Sequence, residues 1–137
     1  MRFLVVDDDF ETRRLVQRLL RPYGEVDVAM DGEEGVEAFA GALKDGEPYD
    51  LITMDILMPN IDGQQALREI RSIEKDRGIP PEKQVRIIMI SGLDDSEELH
   101  DAFFLGDAAG YIVKPINHTV LLQEIAKLGI PLEASPA

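Results

Sequence analysis

Five short stretches suited to β-strands recur along this chain, and four of them end abruptly on a polar residue. Phe3-Leu4-Val5-Val6 runs into Asp7-Asp8-Asp9, and Leu51-Ile52-Thr53-Met54 into Asp55. Val85-Arg86-Ile87-Ile88-Met89-Ile90 ends at Ser91-Gly92, and Tyr111-Ile112-Val113 at Lys114-Pro115. Short apolar runs bounded by turn residues are the pattern of strands covered on both faces. Glu25-Val26-Asp27-Val28-Ala29 alternates polar and apolar instead. It reads as a half-exposed strand at a sheet edge and delivers no comparable polar group.

Helical spacing fills the gaps. A helix is predicted from about Phe10 with Asp9 as its N-cap and Leu15, Val16, Leu19 and Leu20 on its apolar side; Pro22 and Gly24 end it. The second starts after Asp31 and turns Val36, Phe39, Ala40 and Leu43 inward. The third follows Gly63 with Ala66, Leu67, Ile70 and Ile73. The fourth spans about Ser96 to Leu105, with Leu99, Ala102 and Phe103 inward, and the fifth starts after Asn117 with Leu121, Leu122, Ile125 and Leu128. Strands alternating with helices specify an α/β fold: a doubly wound parallel sheet covered on both faces by right-handed crossovers. Residues 1–130 form one domain in this reading and 131–137 a short tail. Met1 and the brevity of the tail favour a stand-alone protein.

Ligands of such sheets bind beyond the carboxyl ends of the strands, where strand order reverses. The first strand brings Asp7 and Asp8 there, the third Asp55, the fourth Ser91 and the fifth Lys114. An order of 2-1-3-4-5 accounts for this set and for the uninformative second strand. Three gathered carboxylates repel: a pair at 4 Å costs roughly 4 kcal/mol at an effective dielectric of 20. They call for a cation or raised pKa values. Oxygen ligands without His or Cys select a hard ion, Mg²⁺ or Mn²⁺. A hard metal, an ammonium and a hydroxyl together suit a phosphoryl group. No evident base is present to activate water, so Asp55, central in chain order, is the natural nucleophile and an acyl phosphate the product.

The totals agree. Acids outnumber bases 27 to 14, for a net charge of −13, which repels nucleic acid and anionic membranes and suits a divalent cation or a basic partner. With no cysteine, disulfides, thiolate catalysis and cysteine-based zinc sites are excluded. No apolar run approaches the ~20 residues of a membrane span. Membrane insertion is not expected, and the cytoplasm is the expected location.

Val5-Val6-Asp7-Asp8, Met54 to Gly63, Ile90-Ser91-Gly92 and Tyr111-Ile112-Val113-Lys114-Pro115 together resemble the receiver domain of bacterial two-component response regulators, over about Arg2 to Leu128. The resemblance implies a flavodoxin-like (βα)5 fold and phosphorylation of Asp55 by a sensor histidine kinase or histidine phosphotransfer protein. It implies Mg²⁺ ligation by Asp8, Asp55 and the backbone carbonyl of Leu57, with Asp7 acting through water. Lys114 would pair with the phosphoryl group across a cis bond to Pro115, Ser91 would hydrogen-bond the phosphate, and Tyr111 would rotate inward. Output would be binding of a downstream target protein through the face of the fourth helix, fifth strand and fifth helix. The domain would not be a conventional enzyme, apart from self-catalysed phosphoryl transfer and slow autodephosphorylation.

Three departures from the family pattern leave the five site residues untouched. Gly92 replaces a frequent Ala, Gly106 to Tyr111 is one residue longer than usual, and the connection around Ile79 to Lys83 is extended. A phosphohydrolase resembling the haloacid dehalogenase type is the rival, since Asp7-Asp8-Asp9 contains its Asp-x-Asp spacing. Glu11 stands where that motif wants Thr or Val, and no cap domain is present. A pseudo-receiver is disfavoured by the intact Asp55, Ser91 and Lys114. His100 and His118 read as exposed surface residues, and Phe104 as partly buried.

Overall fold

A computed structural model describes residues 1–56, 58, 62–92 and 108–132 of the protein. Five strands form one sheet: β1 (Arg2–Val6), β2 (Glu25–Ala29), β3 (Leu51–Asp55), β4 (Arg86–Ser91) and β5 (Gly110–Val113). Their spatial order is β2-β1-β3-β4-β5 and every pair is parallel, as the polar ends of the runs required. Among the described residues four α-helices accompany them: α1 (Phe10–Leu20), α2 (Gly32–Lys44), α3 (Gly63–Asp76) and α4 (His118–Lys127). α4 is the predicted fifth helix. The predicted fourth, with Phe103, Phe104 and His100, lies outside the described residues.

Strand alternation sorts the core into two layers. Leu4, Val6, Ile52, Met54, Ile87 and Met89 pack with Phe39 of α2 and Ala66, Leu67 and Ile70 of α3. Phe3, Val5, Leu51, Ile88, Ile90 and Ile112 pack with Val16 and Leu20 of α1 and Leu121 and Ile125 of α4. The period of two along each strand thus feeds both faces of the sheet. β3 is buried along its whole length, whereas only Ala29 of β2 is buried, in keeping with an edge strand.

Each of these four helices starts on a side-chain cap. Carboxylate oxygens of Asp9, Asp31 and Asp62 accept from the N–H groups of Thr12, Glu34 and Gln65 at 3.2, 2.8 and 2.9 Å, and Asn117 accepts from Val120 at 2.9 Å. A cap of this kind contributes about 1 kcal/mol. Asp62 serves as the cap of α3. The buried line of α2 also differs from prediction. Gly32, Gly35, Phe39 and Ala42 are buried, with Val36 and Leu43 partly so. A Cβ on Gly35 would lie 2.9 Å from Val6 Cγ2, so the helix approaches β1 too closely for a side chain there.

Candidate functional site

The parallel registers bring the five predicted groups to one end of the sheet. Val6 pairs with Met54, Asp55 with Ile90 and Ser91 with Val113, so the residues leaving β1, β3, β4 and β5 meet above the strands. Carboxylate oxygens of Asp7, Asp8 and Asp55 lie within 4.8 Å of one another. Lys114 Nζ is 3.7 Å from Asp55 Oδ2. Asp7 and Asp55 are 1% and 4% exposed, whereas Asp8 faces solvent. Two carboxylates withdrawn from water this far, with one exposed neighbour and one cation, are poorly compensated.

Local hydrogen bonds fix Asp7 on one side only. Its Oδ1 accepts from the N–H of Asp9 at 2.9 Å, and its backbone carbonyl accepts from Arg13 Nη1 at 2.8 Å. Asp7 Oδ2 is buried without a hydrogen-bond partner among the described residues, as is Ser91 Oγ. Burial raises the Asp7 carboxyl above the usual range, with the Asp9 N–H and Lys114 opposing and Asp8 adding to the rise. Asp55 is pushed up to about 7, first by burial and then by the charge of Asp7; Lys114 pulls the other way.

A hard divalent ion fits this donor set. All the ligand atoms are oxygens, they converge, and one of them is buried and unpartnered, so the ion would relieve both the repulsion and the desolvation. Asp7, Asp8 and Asp55 would hold it. Leu57, whose carbonyl the resemblance adds to the ligands, lies outside the described residues.

Behind Asp55 the backbone is packed to contact. The N–H of Gly63 donates to the Ile56 carbonyl at 2.7 Å. A Cβ on Gly63 would fall 2.2 Å from the Asp55 carbonyl oxygen, so a side chain there would push the acceptor strand aside. The Lys114–Pro115 bond is cis, as the resemblance implies. Tyr111, the switch residue that the resemblance implies, is 47% exposed. Asp9 is a helix cap, as predicted, and its Oδ2 also accepts from Thr12 Oγ1 at 2.5 Å.

Sequence reasoning passed over two buried polar residues. Thr53 lies in β3, two positions before Asp55, completely buried and with no partner for Oγ1 among the described residues. Its β-branched character suits a strand, and nothing in the sequence marked the hydroxyl. Glu74 is 1% exposed on α3. Its spacing from Ala66, Leu67 and Ile70 places it on the helix's inner face, a signal that periodicity contained.

A sequence profile described as Response regulator receiver domain matches residues 3–126. The chain is 36% identical over 129 residues to the chemotaxis protein CheY of Treponema pallidum, covering 93% of this chain and 81% of that protein. Among solved structures, the CheX-CheY-BeF3-Mg+2 complex from Borrelia burgdorferi matches with a TM-score of 0.78 and 28% identity, over 96% of this chain and 90% of that one. The co-crystal structure of the Saccharomyces cerevisiae histidine phosphotransfer signaling protein Ypd1 and the receiver domain of its downstream response regulator Ssk1 matches with a TM-score of 0.79 and 25% identity, over 94% and 88%.

Proposed function

The chain belongs to the response regulator receiver domain family, a family of phospho-accepting signalling switches, and on that premise we propose that Asp55 is its phosphoacceptor. One observation carries this assignment. The Asp55 carboxylate is 4% exposed at the end of β3, gathered with Asp7 and Asp8, and 3.7 Å from an ammonium group. A receiver domain of 1–130 with a tail of 131–137 is part of the same reading, as is a cytoplasmic location. Among the described residues no helix is long and apolar enough to cross a membrane.

The donor is a phosphohistidine on a sensor kinase or phosphotransfer protein, the partnership that the Ypd1 and Ssk1 complex exemplifies for its own receiver. An Asp55 Oδ attacks phosphorus, the P–N bond of the donor breaks with its electron pair returning to the imidazole, and an aspartyl phosphate forms. Lys114 offsets the negative charge on the phosphoryl oxygens, and the Ser91 hydroxyl donates to one of them. Mg²⁺, or Mn²⁺, supplies charge neutralisation for the carboxylates and the phosphoryl group when bound. Asp7, Asp8 and Asp55 would hold it. Phosphorylation shifts the equilibrium between two packings of the region from Ser91 to Tyr111. The target then binds a face that includes β5 and α4.

Intact mass after incubation with Mg²⁺ and acetyl phosphate tests the assignment. Wild type gains one hydroxylamine-labile phosphoryl group and Asp55→Asn gains none. An equal adduct on Asp55→Asn overturns it. Metal-dependent turnover of a phosphate ester, lost in Asp7→Asn and kept in Asp55→Asn, supports a phosphohydrolase instead.

A further inference from the structure

The two aspartates that leave β1 are consecutive, so one peptide unit joins them. That unit is planar, and its orientation sets ψ of the residue before it and φ of the residue after it. Fixing the Asp7–Asp8 peptide therefore aims two side chains at once. The Asp7 N–H donates to the Ala29 carbonyl at 3.2 Å. The registers of β1 with β2 and β3 both end at Val6, so the Asp7 carbonyl lies beyond the ladder. Its partner is a side chain, Arg13 Nη1, at 2.8 Å.

The choice of donor needs a reason. Arg13 is half-buried, and in a chain with 27 acids no carboxylate among the described residues lies within salt-bridge distance of it. Its guanidinium goes to a neutral carbonyl instead. There its charge opposes the site, because a dication held by Asp7, Asp8 and Asp55 is repelled by a cation bonded to the backbone of one of them. A cation kept there at that cost has a use other than its charge, and the hydrogen bond is the use the geometry shows. The same contact explains Phe10, whose ring is 61% exposed. Arg13 Cζ stands 5.6 Å from the ring centroid, three residues along α1. The ring covers one face of the planar guanidinium and holds it over the carbonyl against the pull of solvent.

We propose that Arg13 is a positioning residue for the cation site and that Phe10 acts through it: the guanidinium fixes the Asp7–Asp8 peptide, so that Asp7 Oδ2 and the Asp8 carboxylate point into the space they share with Asp55. The proposal rests on the reading of those three acids as cation ligands. Asp7 is also held at its other carboxylate oxygen, since Oδ1 accepts from the Asp9 N–H at 2.9 Å. Asp8 faces solvent, so packing does not direct it and it depends most on the main chain. Partners one shell out from an ion set its affinity by holding the ligands in place.

Isothermal titration calorimetry with Mg²⁺ at fixed ionic strength is the test. Arg13→Met keeps the aliphatic stem and loses the donor, and its dissociation constant rises about tenfold. Phe10→Ala raises it about threefold, although the ring carries no ligand atom. Arg13→Lys keeps one donor without the stacked plane, and it loses no more than Phe10→Ala does. The effects are not additive: Phe10→Ala adds nothing once Arg13→Met is in place. Charge alone gives the opposite sign, since deleting a cation beside the site tightens Mg²⁺ binding. Tighter or unchanged binding in Arg13→Met, or an effect of Phe10→Ala that persists in the double variant, overturns the proposal. Should Arg13→Met fail to fold, Phe10→Ala decides, and a wild-type dissociation constant in that variant overturns the proposal. Amide resonances of metal-free ¹⁵N-labelled protein are the second arm. Loss of the Arg13 donor shifts the Asp8 amide, which shares its peptide with the Asp7 carbonyl; an unmoved Asp8 amide overturns the positioning role. A wild type that takes up no Mg²⁺ refutes the cation-site reading itself, whereas binding by wild type with no loss in the variants refutes the proposal alone.

Discussion

The two ends of the sheet use the same residue types to opposite effect. At the amino ends of the strands, acids are partnered. Asp27 accepts from Tyr49 Oη at 2.6 Å and from Arg2 Nη2 at 3.0 Å, and Asp50 accepts from the N–H of Arg2 at 2.8 Å. Arg2 also donates to the Glu47 carbonyl and stacks 4.7 Å from the Tyr49 ring centroid. Glu74 accepts from the Val85 N–H and from Arg71 Nη1, both at 2.7 Å, and so staples α3 to the start of β4. At the carboxyl ends, Asp7, Asp8 and Asp55 face one another with Lys114 as their near cation. The first arrangement holds the fold. The second spends stability to keep carboxylates available, the usual signature of a working site.

Breaking a pair at the stable end has the largest effect. Glu74→Ala leaves the Val85 N–H without its acceptor and Arg71 without its carboxylate, and destabilises by about 3 kcal/mol. Urea unfolding measures it, and an unchanged midpoint removes Glu74 from the account. The same kind of substitution at the other end reverses sign. Asp55→Asn in metal-free protein at pH 8 stabilises, by on the order of 2 kcal/mol, because it deletes a buried charge beside Asp7.

The pH dependence sharpens the contrast. The folded Asp55 carboxyl keeps its proton up to about 7, while an unfolded one releases it near ~3.9. The folded state therefore binds the proton more tightly. The contribution of Asp55 to stability is full below the unfolded value, falls as pH rises, and is lost once pH passes about 7. Melting temperature of the metal-free protein accordingly rises as pH is lowered from 8 to 5, and Asp55→Asn flattens that rise. A wild-type profile already flat over this range contradicts the raised carboxyl. The smallest effect concerns Thr53, whose buried hydroxyl has no partner among the described residues. Thr53→Val stabilises by about 1 kcal/mol, read by thermal melting; a loss of similar size shows that the hydroxyl is satisfied in solution.

The carboxyl end was the more legible of the two in the sequence. A polar residue that terminates an apolar run has one place to go in a parallel sheet, so Asp7, Asp8, Asp55, Ser91 and Lys114 could be assembled from strand ends alone. Strand order followed from the same list, because β2 brought nothing. The amino end was illegible for a matching reason. Arg2, Asp27, Tyr49 and Asp50 meet through register between β1, β2 and the turn before β3, and no local pattern encodes register. Glu74 was readable from its helical position but not its partners, since the Val85 N–H lies across a polar connection. Gly63 marked the start of the third helix, while its role as the contact behind Asp55 depends on the distance between two backbones. Tyr111 and the Leu57 carbonyl came only from the resemblance, because neither stands out by spacing or by charge.

The most direct test of the charge-strained cation site is thermal melting at pH 7.5 with increasing Mg²⁺, for wild type and Asp8→Asn. Repelling carboxylates that share an ion predict a wild type stabilised by about 2.7 kcal/mol at a hundredfold excess over its dissociation constant. They also predict an Asp8→Asn protein that is more stable without metal and little moved by it. A wild type indifferent to Mg²⁺, or an Asp8→Asn variant that responds as strongly as wild type, would contradict the account.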